Sequence, residues 1–125
     1  MDLTEKQKNS VLCDARLYLA AETDEKFANE VAQAIEMEDW DNLYDRFYTQ
    51  LTFGTAGMRG VIGGGTNRMN PFMVRKVTQA LAQYLIESTS TPSVSIAYDS
   101  RLYSSEFAKA AACVLAANGV KVYLY

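Results

Sequence analysis

Between residues 4 and 48 the apolar positions follow a helical period. Val31, Ala32, Ile35 and Met37 lie close to that spacing, Leu43, Phe47 and Leu51 recur every four residues, and so do Tyr44 and Tyr48. The pattern predicts two or three amphipathic helices, with Thr23 or Asp24 as an N-cap and the acidic side turned to solvent. Asp39 and Asp41 form a D-x-D pair at an expected helix start, where carboxylates complement the positive end of the helix dipole without any need of a metal. From Leu51 the pattern changes. "LTFGTAGMRGVIGGG" sets β-type residues among glycines and predicts a bent strand followed by a turn.

Asn70 as N-cap and Pro71 at the first helical position open the next predicted helix. Its apolar stripe is Val74, Val77, Thr78, Leu81, Ala82 and Leu85, the pattern of a helix packed on a sheet. "STSTPS" reads as a linker, and "SVSIAYDSR" as a short strand built on Val94, Ile96 and Tyr98. "SSEFAKAAACVLAANG" reads as a helix capped by Ser104 or Ser105 and stopped by Gly119, and "VKVYLY" as a second strand. Strand, helix and strand from Val94 to Tyr125 form a βαβ unit, which predicts parallel neighbours and a right-handed crossover. There is no internal repeat and no low-complexity segment. The expected organisation is a helical N-terminal extension over 1–48 and an α/β domain over 49–125. Because the chain stops inside an apolar strand, that domain is expected to be partial, a three-layer α/β/α arrangement cut short.

Composition narrows the chemistry. The chain has 125 residues, 49% of them hydrophobic and 22% charged, with a formal net charge of −3. That balance offers no basic face for nucleic acid or an anionic membrane. No apolar run approaches the roughly 20 residues that cross a bilayer, and "MDLTEKQKNS" is not a signal peptide. Cys13 and Cys113 lack C-x-x-C spacing and read as free thiols of a reducing compartment, so a cytoplasmic location is expected. The chain contains no histidine. This excludes a Ser-His-Asp triad, a Cys-His pair and imidazole acid–base chemistry within it. Ser104 and Ser105 have no base beside them in the pattern, so helix capping is the better reading of at least one.

The glycines carry the strongest signal. Six of the seven, Gly54, Gly57, Gly60, Gly63, Gly64 and Gly65, fall in twelve positions. They contain no G-x-G-x-x-G, so the dinucleotide fingerprint fails, and the P-loop fails because Thr66 and Asn67 follow where Lys and Ser/Thr belong. Arg59 among them offers a planar fork of donors suited to phosphate, neighbouring glycines leave backbone N–H groups uncovered, and Thr55 adds a hydroxyl. A structural salt bridge is the competing role for Arg59. Asp99 and Arg101 fall at the carboxyl end of a strand, where ligands bind in open α/β sheets. There Asp99 can orient an arginine or bind a sugar hydroxyl; the competing reading is that Asp99 or Ser100 caps the next helix.

"FGTAGMRG", then "RMNPFMVRKVTQALAQYL", then "SVSIAYDSR…FAKAAACVLAANGVKVYLY" occur in an order that resembles the opening of the α-D-phosphohexomutases, the phosphoglucomutase/phosphomannomutase superfamily. The resemblance covers roughly residues 40–125, and FGT[AS]GxRG is its most specific block. "GGGTNRMN" is similar to the phosphoglucomutase and phosphopentomutase branch, whose helical extension residues 4–48 would supply. The resemblance implies a multidomain isomerase that moves a phosphoryl group between the 1- and 6-positions of a sugar through a phosphoserine and a sugar bisphosphate. It implies Arg59 as a catalytic phosphate contact on the cleft wall, Thr55 and Gly57 beside it in substrate binding, and Asp99 and Arg101 adjacent to the cleft. In the family the phosphoserine lies in a T-A-S-H-N-P loop and Mg²⁺ in a D-G-D-x-D-R loop. Neither motif occurs in this chain, so no nucleophile and no metal ligand is expected here. Mg²⁺, a sugar 1,6-bisphosphate and the sugar phosphate substrate are expected for the full-length enzyme, and an inactive fragment for these residues alone. Self-association through an open sheet edge is a further expectation. The alternatives are a phosphopentomutase or phosphomannomutase of the same superfamily, a stand-alone sugar-phosphate-binding module, and a Rossmann-like nucleotide binder.

Overall fold

Three helices open the chain in the computed structural model, which describes residues 2–54 and 57–125. Helix α1, Glu5–Ala21, starts at a capping box: Thr4 Oγ1 accepts from the Gln7 N–H at 3.1 Å, and Gln7 Oε1 accepts from the Thr4 N–H at 2.8 Å. Of the two expected caps, Asp24 is the one that opens α2, Glu25–Glu36, where its carboxylate accepts from the Lys26 N–H at 2.9 Å. Asp39 caps α3, Trp40–Phe47, and Asp41 lies in its first turn, so the D-x-D pair sits at a helix start.

The helices bury one stripe each. Val11, Ala15 and Tyr18 of α1 meet Val31 and Ala34 of α2 and Leu43 and Phe47 of α3. Removing a side chain of Leu43's size from water contributes about 1.5–3 kcal/mol. The Tyr18 ring, 1% exposed, stands edge-on to Phe47 and Phe72 at centroid distances of 5.7 and 5.4 Å. Its hydroxyl donates to Glu22 Oε1 at 2.7 Å, and burial raises its pKa far above the usual tyrosine value.

Where the spacing predicts one bent strand, there is a small hairpin. Strands β1, Phe53–Gly54, and β2, Gly57–Met58, pair antiparallel with Phe53 opposite Met58 and Gly54 opposite Gly57. Gly57 holds φ at +94°, a region that glycine enters without strain, and this permits the reversal. Helix α4, Pro71–Ser88, follows with Asn70 as its cap. The boundary between two compact units, Met1–Met73 and Val74–Tyr125, falls within this helix.

In the second unit α4 buries Val74, Thr78 and Ala82, one residue per turn. Leu81, predicted on the stripe, is 43% exposed, so the buried face is narrower than the sequence pattern. Strand β3, Ser93–Ile96, ends before Tyr98, which lies outside it and exposed. It pairs in parallel with β4, Lys121–Leu124, in the register Val94 opposite Val122 and Ile96 opposite Leu124. Between them runs α5, Ser104–Ala117, completing the βαβ unit. Its N-cap is Tyr103 in the left-handed region at φ 65°, with no side-chain cap bond, so the expected serine cap is corrected. The expected stop holds. Gly119, at φ +78°, donates to the Ala116 carbonyl and Val120 to the Leu115 carbonyl, each at 3.0 Å, which closes a Schellman motif. Leu115 and Val120 then join Ala82 in the second core, against Leu85, Val94, Ile96 and Val122.

Candidate functional site

The glycine-rich segment divides into a base and a tip. At the base Gly63, Gly64 and Gly65 are buried against α2 and α3. A Cβ on Gly64 would stand 2.4 Å from the Phe27 carbonyl oxygen, and one on Gly65 2.7 Å from that of Arg46. These glycines are therefore required by close helix–loop packing, which corrects the single role that their clustering suggests.

Charge and hydrogen bonds fasten the base to the helices. Arg46 Nη1 of α3 donates to Glu30 Oε1 of α2 and to the Gly64 carbonyl, both at 2.9 Å, and the Gly64 N–H donates to the same Glu30 oxygen at 3.2 Å. Arg68 pairs with Asp45, and the Asn67 N–H donates to the Arg46 carbonyl at 2.9 Å. Asn70, fully buried, donates through Nδ2 to the carbonyls of Gly63 and Gly65 at 2.8 and 2.7 Å while its Oδ1 accepts from the Met73 N–H at 2.9 Å. Both legs of the hairpin tie to this base: Leu51 N–H to the Thr66 carbonyl at 3.0 Å, and Met69 N–H to the Val61 carbonyl at 2.8 Å.

The tip is open. Arg59 is exposed, and among the described residues nothing forms a hydrogen bond or ion pair with its guanidinium. The competing role, a structural salt bridge, therefore has no partner among them. A Cβ on Gly57 would meet no atom of the described residues within 4 Å, so among them nothing covers the backbone there. Phe53 and Val61, 71% and 69% exposed, flank it in sequence. Thr55, with Ala56, lies outside the described residues.

In the second unit the loop after β3 brings Asp99 and Arg101 together. Asp99 Oδ2 accepts from Arg101 Nε at 2.7 Å, and Oδ1 accepts from the Arg101 N–H at 3.0 Å. The backbone bond from Arg101, with the guanidinium beside it, holds the Asp99 carboxyl below the usual aspartate range. The Asp99 N–H donates to Ser104 Oγ at 3.1 Å, so that serine closes the loop and does not cap the helix. Asp99 thus orients an arginine, one of the roles its position allows. The nitrogens at the end of the Arg101 fork have no partner among the described residues, and the side chain is 87% exposed.

Sequence reasoning missed Glu30, Arg46 and the second bonding of Asn70. Glu30 and Arg46 sit in ordinary charged helical stretches, sixteen positions apart. The block "GGGTNRMN" was the one available signal, since three adjacent glycines and two asparagines are unusual in a plain turn. Among the described residues no cluster of three or more Cys, Asp or Glu side chains is set to hold a metal.

A model of the family Phosphoglucomutase/phosphomannomutase, alpha/beta/alpha domain I, matches residues 50–125. Phosphoglucomutase from a bovine strain of Staphylococcus aureus is 48% identical over 80 residues, which cover 64% of this chain and 14% of that protein. Phosphoglucomutase from Staphylococcus aureus strain COL is 47% identical over 78 residues, 62% of this chain and 14% of that protein. No solved structure matches the chain significantly. The chain belongs to the phosphoglucomutase/phosphomannomutase family, and its α/β fold is that of domain I. It spans 14% of the length of these curated relatives.

Proposed function

We propose that this chain forms one wall of the phosphoryl-transfer cleft of a phosphoglucomutase-type phosphohexomutase. The observation that carries the reading is Arg59, exposed and unpartnered among the described residues on a hairpin whose base is fastened to two helices, α2 and α3. Its fork would take two oxygens of a sugar phosphate, and the uncovered backbone at Gly57 would approach the same group. Thr55, by its place in the sequence, would add a hydroxyl donor. Asp99 fixes the tilt of Arg101 and leaves the end of that fork to meet a second anionic or hydroxyl group.

In such a transfer the protein works mainly by positioning and by charge stabilisation. Arg59 does both and exchanges no proton, since a guanidinium stays protonated. No step is assigned to Mg²⁺ in this chain. Mg²⁺ and a sugar 1,6-bisphosphate belong, in this proposal, to the longer enzyme, and the isolated chain has no mutase turnover. A cytoplasmic setting is supported by the free, exposed Cys13 and Cys113. Among the described residues no helix is long and apolar enough to cross a membrane.

The test is titration of the chain with glucose 1-phosphate. Charge-assisted bonds of about 1.5–3 kcal/mol predict that R59A weakens binding roughly tenfold to a hundredfold, with R59K in between. Equal affinity for wild type and R59A would remove Arg59 from the site.

A further inference from the structure

We infer that Glu30 and Arg46 are positioning residues for Arg59, so that the helical extension sets where the phosphate-contacting arginine is presented. The inference deepens the reading of Arg59 given above and depends on it for its functional value. Its structural content stands on the first unit alone.

Among the described residues two ion pairs join the helices to the loop, and they are not equivalent. In the Arg68–Asp45 pair the carboxylate is 64% exposed, and pairs so open to water contribute little. In the Arg46–Glu30 pair the side chains are 15% and 32% exposed. Arg46 also spends the same Nη1 on the Gly64 carbonyl and its Nε on Asn42 Oδ1 at 2.5 Å. Glu30 returns the contact by accepting from the Gly64 N–H. One residue, Gly64, is thus held at both its N–H and its carbonyl, in two successive peptide planes, by a charge-assisted pair from two helices.

The grip propagates along the backbone. Gly63 N–H donates to the Met69 carbonyl at 3.1 Å, and Met69 N–H donates to the Val61 carbonyl at 2.8 Å, two residues from Arg59. The other leg is tied at Leu51 to Thr66, next to the gripped glycines. Between those ties the β1–β2 ladder, of two residue pairs, is the backbone pairing within the hairpin among the described residues. The direction of Arg59 is therefore set at its base. Removing the Glu30 charge takes the carboxylate from Arg46, whose side chain is only 15% exposed, and leaves the Gly64 N–H a neutral acceptor in place of a charged one.

The experiment uses ¹⁵N-labelled full chain as wild type, E30Q and R46K. The expected result is a shift of the Gly57, Arg59 and Val61 amides and of the Arg59 Nε signal, with the helical circular dichroism kept. Titration with inorganic phosphate is expected to weaken by on the order of fivefold, the low end of typical coupling between sites. Shifts confined to Gly63, Gly64 and Gly65, with the Arg59 signals and the phosphate titration unchanged, would overturn the inference and leave the pair a purely structural one. If E30Q loses its helical signal, R46K gives the same readings, since it keeps the charge but cannot span both acceptors. A wild-type chain whose Arg59 Nε ignores phosphate sinks the proposed function. The positioning claim is then decided by the amide and Nε shifts of the variants.

Discussion

Gly54 and Gly64 stand ten positions apart in one glycine-rich stretch and do different work. A Cβ on Gly54 would meet its nearest neighbour, the Gly57 carbonyl oxygen, at 3.7 Å, an ordinary contact. On Gly64 it would stand 2.4 Å from a helix carbonyl and 2.8 Å from Val31 Cγ2. A backbone carbonyl cannot swing aside, so helix and loop must separate. G64A is expected to lower stability by about 1–3 kcal/mol, the usual effect of overpacking. G54A is expected to stay within about 0.5 kcal/mol of wild type. Urea unfolding of the two variants checks this, and equal midpoints would mean that the loop does not pack on α2 as described.

At the scale of elements, one side chain joins a helix start to a loop. Asn70 caps α4 through Oδ1 and holds the Gly63 and Gly65 carbonyls through Nδ2. N70A should cost about 2–4 kcal/mol, about 1 for the cap and the rest for buried carbonyls left without a donor. N70D restores the acceptor and not the donor, so it should recover at most about 1 kcal/mol of that loss. Thermal unfolding of the pair separates the two roles. An N70D protein as stable as wild type would show that the cap alone matters. The start of α5 shows the opposite economy: Tyr103 turns the chain in the left-handed region, and Ser104, freed from capping, fastens Asp99.

For the whole molecule, the parallel pair β3–β4 is the feature least at ease with water. Parallel strands are ordinarily covered on both faces and flanked by further strands. Here Val94, Ile96 and Val122 face the second core, whereas Tyr123, Leu124 and Tyr125 are 46%, 44% and 75% exposed. Each strand has one neighbour among the described residues, so both edges present unpaired backbone groups. We propose that a second copy of this chain pairs with such an edge at high concentration. Lys121 and Tyr125 donate inward to the Pro92 and Ile96 carbonyls, so Leu124 turns its N–H to the open edge. Size-exclusion chromatography with light scattering should show mass rising with concentration, and L124P, which removes that outward donor, should reduce it. A mass equal to one chain at every concentration would count against this.

How much was legible in the sequence follows from the range of the forces involved. Helix periods, the Asp24 and Asp39 caps, Asn70 at the head of α4, the Schellman stop at Gly119 and the βαβ order all depend on residues within a turn or two of each other. Each could be read from spacing, and so could the family, because its blocks are contiguous. The narrower face of α4 and the exposure of Tyr98 could not, since burial depends on what packs opposite. The cap of α5 is local yet escapes the spacing, because two local uses compete for one hydroxyl: Ser104 Oγ accepts from the Asp99 N–H, and the helix starts at Tyr103 in the left-handed region. The division of the glycines into a packed base and an open tip needed the positions of the Phe27 and Arg46 carbonyls. The sequence by itself determined the elements, their ends, and Arg59 as the charge in a glycine setting. Only the tertiary structure decided that Glu30 and Arg46 grip Gly64 and that Arg59 stands unpaired among the described residues, because contacts between residues many positions apart leave no periodic trace in a single chain.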